Sequence, residues 1–158
     1  MIEHYGPRPN DRVSIEAEFH QLYNDLADRS SKKPETAPFI VLKDVFMWAV
    51  ALGVRSGKRL PLAGKKDDLF FWHQLSQDQD VPVLESIAVA ETGDVEVLAQ
   101  GSQILLIAEE YANEGIRLLK QELVDQRAAP LWNLVALARQ PDPGQMGDSL
   151  KANQPRRL

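Results

Sequence analysis

Residues 44–62 read DVFMWAVALGVRSGKRLPL, and this stretch sets the expectations for the whole chain. Its first half is apolar without interruption from Val45 to Leu52, and a helix that is apolar nearly all round is normally a buried one. Its second half carries Arg55, Lys58 and Arg59, with Lys65 and Lys66 following before any acidic residue. Asp44 is placed to cap such a helix, and Gly53 to end it in the left-handed conformation that a residue without a Cβ adopts freely. The stretch therefore predicts a central buried helix over 44–53 that presents a cationic loop, with Pro61 pinning the loop's exit.

The chain has 158 residues, enough for one hydrophobic core but not comfortably for two. Apolar residues make up 44% and charged ones 26%, which is ordinary globular usage and excludes a largely disordered polymer. Cysteine is absent, so disulfides, thiolate metal sites and a cysteine nucleophile are all ruled out. The opening MIEHYGPRPNDR lacks an apolar signal core, and no run is long enough to span a bilayer, so a cytoplasmic protein without membrane contact is expected. The net charge of −5 disfavours polyanion binding by the surface as a whole, yet the charge is unevenly spread. Every charge from Arg55 to Lys66 is positive, whereas acids dominate from Glu85 to Asp125.

Outward from the central stretch, periodicity predicts a series of helices. Phe19, Leu22, Tyr23 and Leu26 fall at helical spacing, with Ser14 as a candidate N-cap and an end near Ser30. The prolines of SSKKPETAP predict a loop. Asp67 and Asp68 can cap a short helix on LFFWHQL, whose Phe70, Phe71 and Trp72 should bury large areas. Pro82 suits the first turn of a helix that ends at Thr92–Asp94. Val95–Leu98 alternates as a strand would but has no evident partner, so it is read as a connection. The longest periodic stretch starts at Ser102 and runs to Arg127, interrupted by Gly115, which marks a kink, a break or the close approach of another backbone. A last helix follows Pro130. These readings predict a mainly α fold: a compact single-domain bundle of about five to seven helices over residues 11–140, flanked by flexible termini at 1–10 and 141–158.

Three features could carry chemistry. Clustered cations neutralise phosphates and release counterions, so Arg55, Lys58, Arg59, Lys65 and Lys66 are candidate nucleic-acid contacts, against the blander reading of a solvated loop. The order GVRSGKRLPL is not a nucleotide-binding P-loop, because an intervening residue and the Ser or Thr after the lysine are missing. Glu110 and Glu114 lie four apart on one helix face, with Glu109 and Asn113 on an adjacent one; such an acidic face is normally solvated or meets a basic partner, and a metal or acid–base site would need further ligands that do not stand out. His73 follows two aromatic residues and could stack or titrate, while Trp48, Trp72 and Trp132 read as core anchors. No catalytic residue, metal site or cofactor is predicted.

The segments KDVFMWAVALGVRSGKRLPL at 43–62, SIAVAETGDVEVL at 86–98 and AEEYANEGI at 108–116 together resemble the Dnd system-associated protein 4 family, also called DNA phosphorothioation-associated protein 4. The resemblance spans roughly the middle half of the chain. It implies a bacterial antiphage setting, beside genes that replace a DNA phosphate oxygen with sulfur or act on DNA bearing that mark. It carries over no catalytic residues. The combined expectation is a non-enzymatic DNA-contacting or adaptor subunit of such a system, with Glu109, Glu110 and Glu114 facing protein partners. Alternatives are a protein-binding or self-assembling module, in which basic loop and acidic helix meet across subunits, and a metal-dependent nuclease.

Overall fold

In the computed structural model, which describes residues 6–141, the chain is mainly helical with one small antiparallel sheet. Strand β1 (Arg12–Glu16) pairs with β2 (Lys66–Phe71), from Arg12 opposite Phe71 to Glu16 opposite Lys66, with a bulge between Val13 and Ser14. Both strands run into stretches where helix was expected, β1 from Ser14 onward and β2 from Leu69 onward. In RVSIE, Val13 and Ile15 point inward and Arg12 outward, the period-two pattern of a half-buried strand. Ser14 caps nothing; its amide donates to Glu109 Oε2 at 2.7 Å. The helical spacing from Phe19 onward is genuine, but helix α1 covers only His20–Leu26, entered through a 3-10 turn at Ala17–Phe19.

Asp67 and Asp68 likewise do not cap a helix. Asp68 Oδ2 takes Arg12 Nη1 across the sheet at 2.7 Å, and Asp67 Oδ2 lies 2.9 Å from His20 Nδ1. LFFWHQL reduces to the end of β2 and a 3-10 turn at Trp72–Gln74. Its strand partner stands more than fifty residues earlier in the chain, and a short apolar run cannot be assigned to strand or helix until that partner is known.

Helix α2 spans Leu42–Ser56, longer at both ends than the expected 44–53. Val41 occupies the N-cap position and Asp44 sits in the first turn, while Gly57, at φ 74°, supplies the left-handed terminus that Gly53 was expected to supply. Helix α3 covers Asp80–Thr92. A 3-10 turn at Val95–Ala99, opened by Asp94 Oδ1 accepting the Glu96 amide at 2.9 Å, leads into helix α4 (Gly101–Leu119). That helix closes in a π-helical turn at Lys120–Val124. Helix α5 (Pro130–Ala138) starts on its proline, and Leu131 donates to Glu35 O at 2.9 Å. Trp72 is buried, but Trp132 is 57% exposed and anchors no core. Pro7 is buried and the Pro9 carbonyl accepts from the His73 amide at 3.0 Å; the rest of the expected flexible termini, 1–5 and 142–158, lies outside the described residues.

Helices α2 and α4 run antiparallel and in close contact. Gly53 in α2 faces the backbone of Tyr111, and Gly115 in α4 faces that of Ala49, so each helix presents its glycine to the other's main chain. A Cβ on Gly115 would stand 1.5 Å from the Ala49 carbonyl oxygen, and one on Gly53 would stand 2.0 Å from that of Tyr111. Of the three readings open for Gly115, the close approach of another backbone is the one observed. Around this seam Phe46, Val50, Ile104, Ile116 and Leu119 are fully buried.

Helix propensity alone favours Gly→Ala by about 1 kcal/mol. The seam reverses the sign: Gly115→Ala and Gly53→Ala should each destabilise by about 1–3 kcal/mol through overpacking, read as a lower urea midpoint.

Candidate nucleic-acid interface

Nine residues, 57–65, lead from the end of α2 to β2, and their shape is set by the elements beneath them. Leu60 donates its amide to Glu110 O at 3.1 Å. Asn113 Nδ2 reaches the carbonyls of Leu60 at 3.1 Å and Pro61 at 3.3 Å. Ala63 donates to Glu16 Oε1 at 2.9 Å, and the Ala17 amide to Lys65 O at 2.8 Å. The segment is therefore fastened to α4 below and to the end of β1 at its side.

Glu16 is the hub of that fastening. It is buried, and its carboxylate accepts from the Ala63 amide, from Asn113 Nδ2 at 2.9 Å and from Arg117 Nη2 at 2.7 Å. Burial opposes its ionisation, but the hydrogen bonds from Ala63, Asn113 and Arg117 outweigh it and bring its pKa down to about 2. Arg117 is held in turn by the Asn113 carbonyl at 2.7 Å and by the Phe19 ring, 4.5 Å from its guanidinium carbon. Glu16 is not among the residues the sequence singles out; its buried place at the end of β1 shows only once the strand is recognised.

The five predicted cations divide into two groups. Arg59 turns inward, its Nη1 2.9 Å from Glu91 Oε1 and its Nη2 3.3 Å from Glu110 Oε1. Burial disfavours its charge, yet the hydrogen bond to Glu91 and the attraction of Glu110 raise its pKa above the ordinary value. The Tyr111 hydroxyl donates to the other oxygen of Glu91, joining α2's loop to α3 and α4. Arg55, Lys58, Lys65 and Lys66 are exposed, and among the described residues none has a carboxylate ion-pair partner. Among the described residues Arg55 reaches only the Pro141 carbonyl, at 3.3 Å. It lies in the last turn of α2, where the helix dipole favours cations, so this end of the helix offers no amide cradle for phosphate. The amides of Gly57, Lys58, Leu60 and Ala63 already have internal acceptors, so half of the segment's donors are spent within the fold.

The predicted acidic residues are engaged unequally. Glu110 is buried against Arg59, so it is not part of a solvated face. Glu109 accepts the Ser14 amide and borders a small cleft with Pro61, Leu62, Lys66 and Leu106. Burial raises its pKa to about 7, partly offset by the Ser14 hydrogen bond and the nearby Lys66 charge. Glu114 is half-buried and, among the described residues, has no ion-pair partner. Among those residues, no three His, Asp or Glu side chains gather closely enough to hold a metal ion, and no helix is long and apolar enough to cross a membrane.

The described residues thus form a helical scaffold with a loop whose backbone is fastened to α4 and β1 and whose Arg55, Lys58, Lys65 and Lys66 stand exposed. The chain belongs to the DNA sulphur modification system-associated protein 4 family, whose model matches residues 12–152, and this links it to a Dnd DNA sulphur modification system. The resemblance seen in three internal segments thus extends over most of the chain. No curated protein and no solved structure matches it significantly.

Glu16 and Glu109, the two carboxyls with the largest shifts, act on stability in opposite directions. Glu16, depressed from 4.5 to about 2, contributes stability that is present above pH about 4.5 and lost as pH falls through about 2. Glu109, raised from 4.5 to about 7, contributes stability that is present below pH about 4.5 and lost as pH rises through about 7. Urea titrations across this range should show Glu16→Gln flattening the acid limb and Glu109→Gln flattening the decline towards pH 7.

Proposed function

We propose that this protein is a non-enzymatic DNA-contacting or adaptor subunit of a cytoplasmic antiphage defence system linked to DNA phosphorothioation. The observation that carries the reading is the division among the loop cations. Internal ion pairs are satisfied by Arg59, and Arg55, Lys58, Lys65 and Lys66 are left outward on a backbone fastened at four points. A protein whose net charge is −5 gains nothing for solubility by gathering four cations on one segment, whereas a phosphate backbone rewards each with released counterions. Membership of a family associated with DNA sulphur modification supports DNA as the polyanion. Contact of these cations would be with phosphates and would therefore be largely independent of sequence.

Other proteins of the same system would be met elsewhere on the surface. Of the three acids predicted to face partners, Glu114 has the freest carboxylate, while those of Glu109 and Glu110 already serve the chain's own fold.

A gel-shift salt titration with the Arg55→Ala, Lys58→Ala, Lys65→Ala, Lys66→Ala variant checks the DNA role. The slope of log affinity against log salt should shrink by about 1 for each lost phosphate contact. Arg59 is left intact, since its loss would strand Glu110. Unchanged affinity and slope would overturn the reading.

A further inference from the structure

Strand β2 sends two adjacent phenylalanines to opposite sides. Phe70 goes into the core, edge-on to Phe46 with centroids 5.4 Å apart. Phe71 stays outside, 37% exposed, and is flanked by two groups that complement a π face. The Arg12 guanidinium carbon lies 5.2 Å from the ring centroid, and the His73 ring is stacked at 5.4 Å with planes 9° apart. Arg12 stands opposite Phe71 in the register and also bonds Asp68 at 2.7 Å, so Arg12, Asp68 and Phe71 share the outer face and Asp68 is locally neutralised. Lys66, two residues before Asp68 and exposed, lies on that face too, about 13 Å along the strand from Phe71 because Leu69 is bulged out of the pairing. The outer face thus carries Lys66, beside Glu109, at one end, a neutralised pair in the middle and a stacked aromatic array at the other.

Exposed rings in line with cations are the arrangement that engages single-stranded nucleic acid, because unpaired bases offer π faces while the strand's phosphates meet positive charge. A duplex hides those base faces. We propose that the outer face of the β1–β2 ribbon is a platform on which an unpaired DNA base stacks against Phe71 and His73, with the flanking phosphates on Arg12 and Lys66. The inference rests on the DNA contact proposed above and narrows it to DNA with unpaired bases. It also gives the two strands a use that core packing does not require of Phe71.

Fluorescence anisotropy with labelled oligothymidine, an abasic strand of equal length and a duplex tests the platform. Phe71→Ala should weaken oligothymidine binding at least about fivefold while leaving abasic and duplex binding, the salt slope and the melting temperature as in the unmodified protein; Phe71→Tyr should restore it. Phe71→Ala that binds oligothymidine as the unmodified protein does, with salt-dependent DNA binding intact, overturns the platform and leaves the DNA reading standing. Absence of binding to every strand form at low salt overturns both. A system protein that co-purifies and is lost with Phe71→Ala, at unaltered oligothymidine affinity, marks the face as a protein surface and overturns the base platform.

Discussion

The reciprocal glycine contact between α2 and α4 is the constraint on which the rest depends. Because Gly53 and Gly115 carry no side chain where the backbones meet, α4 comes close enough for Glu110 and Asn113 to lie directly under the segment that leaves α2. The Leu60 amide then finds the Glu110 carbonyl, and the Leu60 and Pro61 carbonyls find Asn113. A wider helix spacing would leave these main-chain groups to water and the segment loose. Side chains held on a fixed backbone lose less freedom on meeting a ligand than those on a mobile loop.

The same proximity decides which cations remain outward. Arg59 lies over α4 and is drawn between Glu91 and Glu110, where removing one partner would leave a charge poorly solvated. Arg55, Lys58, Lys65 and Lys66 lie beyond that reach. One cation is therefore invested in the fold, while the other four have no ion-pair partner among the described residues. The Glu16 knot repeats the logic on the other side of the loop, tying β1 to the segment through Ala63 and to α4 through Asn113 and Arg117.

What could be read from the sequence was local. The apolar run of α2, the proline starts of α3 and α5, the long α4 and the gathering of cations after α2 all follow from spacing and composition. The ribbon escaped because β1 and β2 are distant in sequence and each is short; RVSIE also sits directly before a true helical pattern, which drew it into the wrong element. Gly53 resembled a terminus for want of any sign that Tyr111 would press against it, and Gly57 was the actual left-handed residue. At the candidate interface the residue types were visible, but the separation of Arg59 from its neighbours depends on Glu91 and Glu110, brought over from two other helices. The Arg12, Phe71 and His73 array had one clue in the sequence, a histidine after consecutive aromatics. Trp132 shows the reverse error: a large apolar residue in an apolar helix that packs against little.

Amide hydrogen exchange of the protein with and without DNA bearing a single-stranded overhang tests the central claim most directly, because it maps the contact without altering a residue. The account predicts slowed exchange confined to residues 55–66 and the β1–β2 ribbon, with α3 and α5 unaffected. Protection falling on α3 or α5 with residues 55–66 unchanged would contradict it.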